Sequence, residues 1–520
     1  MLGVAVLVCS MAAPRLRLAP PVLLLAAGAL LGLVPALRRV SLPPEVVLLL
    51  FLPALLYWES LTTSLREIRS NLRAIVLLST GLVIATAAAV AATAHHLGLP
   101  WGPAWVLGAA VAPTDATVVG IVTRMLPRRT VTILRAESLV NDGTALVIYG
   151  LAVGVTVGDE HFGVPHVAAL FALAYAGGAV AGLVAAWLAV QARRRLDDPV
   201  LENVVSILTP FVAFLLAELI HASGVLAVVV CGLALSQVGP RLVGPDTRQQ
   251  ARAFWTLSSF TLNASLFVLV GVQAAASARD LTTFSTGKAL GAVGILSAVV
   301  IGTRVVWEYT TPYLVRALDR RPQQRLRRVG ARARTVITFT GFRGAVSLAA
   351  ALAVPRTLDS GAPFPDRDVI VFVTSGVIVV TLVVQSLALP AVVRFARLPE
   401  DTGVREERRL ADTVAAEEAM KAIPDVAARL GTHEAAVART RMEYETHLQL
   451  LYNDGDQPEI DSVRKAEADY AALRLELLAL KRAAVVRLRD ERRIDDTVLR
   501  QIQARLDLEE VRLSRRDVID

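Results

Sequence analysis

Apolar runs of about 20 residues, the length that lets a helix cross a bilayer, recur along this chain from its first residue to about residue 395. In lipid the backbone must satisfy its own hydrogen bonds, which leaves only helices and closed barrels. The alternating segments of about ten residues that mark a barrel are absent. An ordinary soluble chain would show amphipathic stripes instead. The fold class is therefore an all-α polytopic membrane protein, with about thirteen transmembrane helices. The spans are expected near residues 1–13, 20–37, 44–61, 73–95, 104–123, 134–155, 166–191, 203–221, 223–240, 253–276, 288–311, 333–354 and 369–394.

Charge divides the chain in two. Residues 401–520 hold 21 Lys/Arg against 26 Asp/Glu, while the first 400 residues hold 33 against 20. The expected division is a transmembrane domain over 1–398 and a charged helical tail over 399–520. Tyr470, Leu473, Leu477 and Leu480 step by three and four and predict an apolar stripe on one tail helix. Asn453-Asp454-Gly455-Asp456 predicts a turn between helices. The positive charge of the first 400 residues sits in short loops rather than a nucleic-acid-binding patch. Alternate loops carry 23 basic residues on one side and six on the other. By the positive-inside rule the richer side is cytoplasmic. The N-terminus then faces out and the tail faces in, in a plasma (inner) membrane. The first apolar segment has no basic leader, so no cleaved signal is needed. Cys9 and Cys231 both fall in apolar runs and read as small buried hydrophobes.

Two polar strings interrupt this pattern: Pro113-Thr114-Asp115, and Glu137-Ser138-Leu139-Val140-Asn141-Asp142. A carboxylate at membrane depth costs a few kcal/mol on even the mildest scales, about 2.5–3.5 for Asp. Such residues are kept mainly where they bind ions, relay protons or pair with a buried cation. The fifth span breaks at Ala112-Pro113-Thr114-Asp115, and its positional counterpart, the twelfth, at Gly341-Phe342-Arg343-Gly344. Breaks at matching places point to two inverted six-helix repeats whose discontinuous helices cross near the midplane, at a substrate site.

Ser138, Asn141 and Asp142 stand at i, i+3 and i+4 and share one helix face. A carboxylate, a hydroxyl and an amide suit a hard cation such as sodium, and no His/Cys set at transition-metal spacing accompanies them. Asp142 is the chosen carrier, since a carboxylate in a poorly hydrated pocket can hold either a proton or a cation. Thr114 and Asp115 are co-ligand candidates. Glu59 fits either an interfacial helix end or the lining of the site. Arg343 stays charged inside a span and needs a partner, for which Glu137 is expected. Arg304 and Glu308, four residues apart, are expected to pair with each other. Glu218 and His221 lie near the outer end of the eighth span, and His95 and His96 are expected to be solvated in an outer loop.

The strings Ala112-Pro113-Thr114-Asp115-Ala116, Glu137 to Gly143, His221 to Val229 and Phe342 to Leu348 together resemble the monovalent cation/proton antiporter family of NhaP and NHE type. The resemblance covers about residues 40–400, and the tail near Leu506-Asp507-Leu508-Glu509-Glu510 resembles that of bacterial members. It implies a homodimer in the lipid membrane, each protomer with a dimerisation part and a six-helix core. It implies that Asp142 binds ion and proton, that Thr114, Asp115 and Ser138 assist, and that Glu59 contributes. It also implies that Glu137 and Arg343 form a buried ion pair. The Asn141-Asp142 pair marks the electroneutral branch. The expected activity is exchange of Na⁺, or else Li⁺ or K⁺, for H⁺. The ions are substrates and no cofactor is expected. A K⁺/H⁺ antiporter and a cation channel are the alternatives. No enzyme motif is visible. The tail reads as regulatory, toward an unspecified ligand.

Overall fold

The computed structural model describes residues 2–16, 18–34, 47–115, 126–158, 164–318, 330–398, 403–452 and 458–514, and these are predominantly helical, with a single isolated bridge, Thr357 to Pro363, in the loop before the last transmembrane helix. The start at Met1, the second half of the fifth span after Asp115, and the turn expected at Asn453–Asp456 lie outside them. The chain divides into two compact units, Met1–Asp401 and Thr402–Asp520.

The first unit opens with α1 (Leu2–Leu16), α2 (Pro20–Leu33), α3 (Leu52–Thr62), α4 (Leu65–Val76), α5 (Leu82–His96) and α6 (Trp101–Val111). It continues with α7 (Arg128–Val157), α8 (Val164–Arg193), α9 (Pro199–Glu218), α10 (Gly224–Leu242), α11 (Pro245–Asp280) and α12 (Thr286–Leu318). It closes with α13 (Ala331–Phe339), α14 (Ala345–Leu352) and α15 (Arg367–Ala396). Among the described residues eight helical stretches are long and apolar enough to cross a membrane, and Leu2–Leu16, Pro20–Leu33, Leu49–Thr62 and Trp101–Val111 are shorter apolar helices. Each expected span has a helical counterpart among the described residues, the fifth for its first half only and the twelfth as the broken pair α13 and α14. The chain is a multi-pass membrane protein. Its outward-facing leucines and valines, such as Leu183, Val184 and Leu188 on α8, are where lipid belongs.

Between lipid-soluble helices the apolar surface gives no net drive to associate, so close backbone approach takes its place. Gly28 and Gly32 form a small-residue repeat on α2 that meets α11. A Cβ on Gly28 would stand 2.0 Å from the Val268 carbonyl oxygen, and one on Gly271 would stand 2.2 Å from that of Leu25. Two π-helical turns, Val47–Phe51 before α3 and Leu77–Gly81 before α5, shift the helical register locally. The second frees the Ser79 carbonyl, which accepts a hydrogen bond from Thr144 of α7 at 2.9 Å.

The second unit holds α16 (Gly403–Leu430), α17 (Glu434–Tyr452), α18 (Pro458–Asp490) and α19 (Asp496–Ser514). Leu478, Leu506 and Leu513 form its buried cluster, with Leu475 and Ile502 against it. Arg474 pairs with Glu509, and Arg482 with Asp507 and Glu510, along the same α18–α19 contact. The expected stripe of Tyr470, Leu473, Leu477 and Leu480 is not the one used. α18 turns Ala471 and Leu478 inward, and the stripe stays exposed.

Gly271→Val is expected to push α2 and α11 apart, because backbone rather than a flexible side chain meets the new atoms. Overpacking of this kind costs about 1–3 kcal/mol. The apparent melting temperature of the detergent-purified chain should fall. Gly291→Val, where nothing lies within 4 Å of an added Cβ, should leave it nearly unchanged.

Candidate ion site at the crossing of the broken helices

Pro113 has no N–H to return to the preceding turn, so α6 ends at Val111 and residues 112–115 run on unwound. In the counterpart, α13 ends at Phe339 and α14 begins at Ala345, with Thr340–Gly344 unwound between them. The two breaks meet. The Asp115 N–H donates to the Phe342 carbonyl at 2.9 Å.

A broken helix leaves unpaired carbonyls and a partial negative charge at each C-terminal end. An arginine meets both ends here. Arg343 donates from Nε to the Val111 carbonyl at 2.8 Å and from Nη1 to the Gly341 carbonyl at 2.5 Å. Arg304 of α12 donates from Nε to the Ile337 carbonyl at 3.1 Å. The opposite pole, the start of α14, is met by Asp115. Its carboxylate fills the space beside Gly344, where a Cβ would stand 1.8 Å from Oδ2. Glycine at 344 is what admits the carboxylate to that helix end.

The partner expected for Arg343 is corrected by this geometry. Glu137 pairs with Arg304, Nη1 to Oε1 at 2.6 Å and Nη2 to Oε2 at 3.0 Å. The pair is bidentate and fully buried. Arg343 directs its donors to helix-end carbonyls instead. Arg304 correspondingly does not pair with Glu308, whose buried Oε1 has no hydrogen-bond partner. The sequence signal for Arg304 was its depth inside an apolar span, but the nearby Glu308 offered a local partner that the fold does not use.

A polar chain runs on from this pair. Thr114 donates its hydroxyl to Glu137 Oε1 at 3.2 Å and accepts from Asn141 Nδ2 at 2.6 Å. Asn141 Nδ2 also lies 3.3 Å from the Thr114 carbonyl. Asn141 therefore fastens α7 to the unwound segment of the fifth span, and its Oδ1 is buried without a partner. Ser138 is buried on the same face.

Asp142 is 5% exposed. It makes no hydrogen bond or ion pair to any described residue, and its electrostatic neighbours are Asp115 and Glu59. Glu59, half-buried on α3, is thereby placed among the site's acids, within electrostatic reach of Asp115 and Arg135. Of the expected residues, Asp142, Asp115, Glu59, Thr114, Asn141 and Ser138 all gather around the breaks. Sequence reasoning missed Tyr175 of α8, whose hydroxyl meets that of Thr144 one turn along α7. A lone tyrosine in an apolar run was the available signal.

The remaining titratable candidates lie elsewhere. His221 is exposed, in left-handed backbone at φ 53° beyond α9. Two residues on, Ser223 caps α10 by accepting from the Leu226 N–H at 3.2 Å. His95 is not simply solvated: its Nδ1 lies 2.9 Å from the Leu99 carbonyl and its ring stacks on Trp101 at 4.2 Å.

Breaking a buried ion pair costs about 3–5 kcal/mol because one charge is left uncompensated. Glu137→Gln and Arg304→Met should each lower the melting temperature of the purified protein markedly, and the double variant should recover part of the loss. A coupling of about 0.5–3 kcal/mol is expected for this cycle. The same cycle with Arg343→Met should show a smaller one.

Comparison with known proteins agrees with this architecture. Residues 3–395 match the family described as "Sodium/hydrogen exchanger, transmembrane". The chain is 47% identical over 511 residues to an uncharacterized Na⁺/H⁺ exchanger of Mycobacterium tuberculosis, covering 98% of this chain and 94% of that one. It is 31% identical over 388 residues to a sodium, potassium, lithium and rubidium/H⁺ antiporter of Bacillus subtilis, covering 71% and 57%. Among solved structures it shares its fold with the sodium proton antiporter MjNhaP1 of Methanocaldococcus jannaschii. The TM-score is 0.57 at 18% identity, over 75% of this chain and 96% of that one. On this match and these relatives, the chain belongs to the transmembrane sodium/hydrogen exchanger family and is a cation/proton antiporter.

Proposed function

We propose that the chain exchanges one Na⁺ for one H⁺ per cycle, by competition of the two for Asp142. One observation carries this reading. Among the acids at the crossing, Glu137 has Arg304 and Asp115 has the start of α14, while the buried Asp142 has no compensating partner among the described residues. A bare carboxylate cannot stay charged and uncompensated at that depth. It must take a proton or a cation, and that choice is the exchange. Asn141 carries no titratable charge, so one proton leaves for each cation that arrives and no net charge moves.

Glu59, half-buried on α3 near Arg135, is suited to drawing cations toward Asp142. Asp115 adds negative field from its helix end, and Ser138 and Thr114 supply neutral oxygens nearby. Arg343 and the Glu137–Arg304 pair hold the crossing in place. We infer alternating access rather than a continuous pore, because the substrate group sits among discontinuous helices. The protein works in the plasma membrane with its tail cytoplasmic, as a homodimer, and the tail regulates exchange. The Bacillus subtilis relative is an antiporter of sodium, potassium, lithium and rubidium. That breadth favours K⁺ as the second substrate reading for the same site.

In everted vesicles with an imposed proton gradient, Na⁺, Li⁺ or K⁺ should collapse the gradient, and Asp142→Asn should abolish the response. If no cation acts on wild-type protein shown to be in the membrane, the reading fails. Competition sets a kinetic signature: each tenfold rise in proton concentration raises the half-saturating cation concentration, by up to about tenfold, with the maximal rate little changed. In liposomes, the rate should not respond to an imposed membrane potential. Gly344→Ala must displace the Asp115 carboxylate and is expected to lose most transport without losing membrane insertion.

A further inference from the structure

The second unit carries an apolar face that its own helices leave uncovered. On α18, Tyr470, Leu473, Leu477 and Leu480 are 48%, 60%, 47% and 65% exposed, while Ala471 and Leu478 are 5% and 1% exposed against α19. At 100° per residue the two faces point about 130° apart. The α19 contact therefore leaves the first face open.

The open face has the register of a coiled-coil seam. Tyr470 and Leu477 fall at a, and Leu473 and Leu480 at d, of consecutive heptads. The flanks are charged by position: Asp469 and Glu476 occupy g, and Arg474 and Lys481 occupy e. A parallel pair sets each g opposite the partner's e five residues on. That joins Asp469 to the second copy's Arg474, and Glu476 to its Lys481. An antiparallel pair would set g against g and e against e, acid on acid and base on base. Glu476 and Lys481 are exposed and make no ion pair among the described residues, whereas Arg474 also holds Glu509.

We propose that α18 is a parallel two-stranded coiled-coil seam that binds α18 of a second copy of this chain, with Glu476 and Lys481 fixing orientation. The stretch from 469 to 484 covers about two heptads, fewer than the three or four that mark a free-standing coil. Anchoring both chains in one membrane supplies the missing stability through effective concentration. This inference does not depend on the reading of Asp142.

The test uses the full chain in native membranes, with mild oxidation and the wild type, whose Cys9 and Cys231 are buried, as blank. Leu477→Cys should form a disulfide-linked dimer several-fold more than Ala479→Cys, which is exposed off the seam at c. Adding Glu476→Lys should reduce that crosslink several-fold, and further adding Lys481→Glu should restore it. Ion transport, compared among these chains, checks that each variant folds. Equal crosslinking at 477 and 479, or a crosslink indifferent to the charge reversal, would overturn the proposal. A Leu477→Cys chain that stays uncrosslinked, while a dye on it shifts with anionic vesicles, would also overturn it and assign the face to lipid.

Discussion

Everything at the centre of the transmembrane unit depends on neutralising helix ends that have been cut in the middle of a membrane. One helix ends at Val111 and another is broken between Phe339 and Ala345, and each end leaves carbonyls without intrahelical partners. The chain answers with guanidinium groups, whose planar donors stay charged at any relevant pH. Arg343 takes the end of α6 and Arg304 the end of α13. The arginines introduce a second problem, two buried positive charges. Arg304 is offset by Glu137 in bidentate contact, and Arg343 by the partial negative charge of the carbonyls it binds. The crossing is thus held by a closed set of complementary charges, and unwound backbone at membrane depth becomes tolerable.

That closure is what gives Asp142 its distinct position. A site for exchange needs a rigid frame whose own charges do not change during the cycle, with one group left to change. Glu137 and Asp115 are engaged by the frame, and Asn141 and Thr114 are tied to one another and to Glu137. Asp142, one residue from Asn141 on the same helix, inherits the positional precision of that network without sharing its hydrogen bonds. On the proposed reading, little of the binding energy for the ion then goes into ordering side chains.

Much of this is legible in the amino-acid sequence. The apolar runs mark each span, because about 20 residues of unbroken hydrophobicity is what a bilayer-crossing helix requires and a soluble helix does not. Pro113 and the glycines Gly341 and Gly344 mark both breaks, and the spacing of Ser138, Asn141 and Asp142 places them on one face. What cannot be read is partner choice over long separations. Arg304 has Glu308 one turn away and takes Glu137, 167 positions distant. Spacing ranks local partners but is silent about which helices will be neighbours. The tail fails in a related way. α18 carries two apolar stripes, and periodicity cannot say which one α19 covers. The stripe with the larger side chains is the more conspicuous, and the one with Ala471 and Leu478, which allows close approach, is the one used.

Asn141 illustrates how tightly the frame limits what the site may become. Its amide donates to Thr114, which frees the Thr114 hydroxyl proton for Glu137. An ionised carboxylate at 141 would be acceptor-only. Thr114, with one proton, would then have to choose between residue 141 and Glu137, and whichever it abandoned would be a buried acceptor short of a donor. The same change would add a negative charge beside Asp115, Glu137 and Asp142, while the bidentate contact of Arg304 already offsets Glu137. A second carboxylate here is therefore not a neutral exchange of stoichiometry. It requires a new donor for Glu137 or a proton shared between residues 141 and 142, and neither is built into the described frame. The proposed single-charge exchange rests on the donor count at Thr114 as much as on the absence of charge on Asn141.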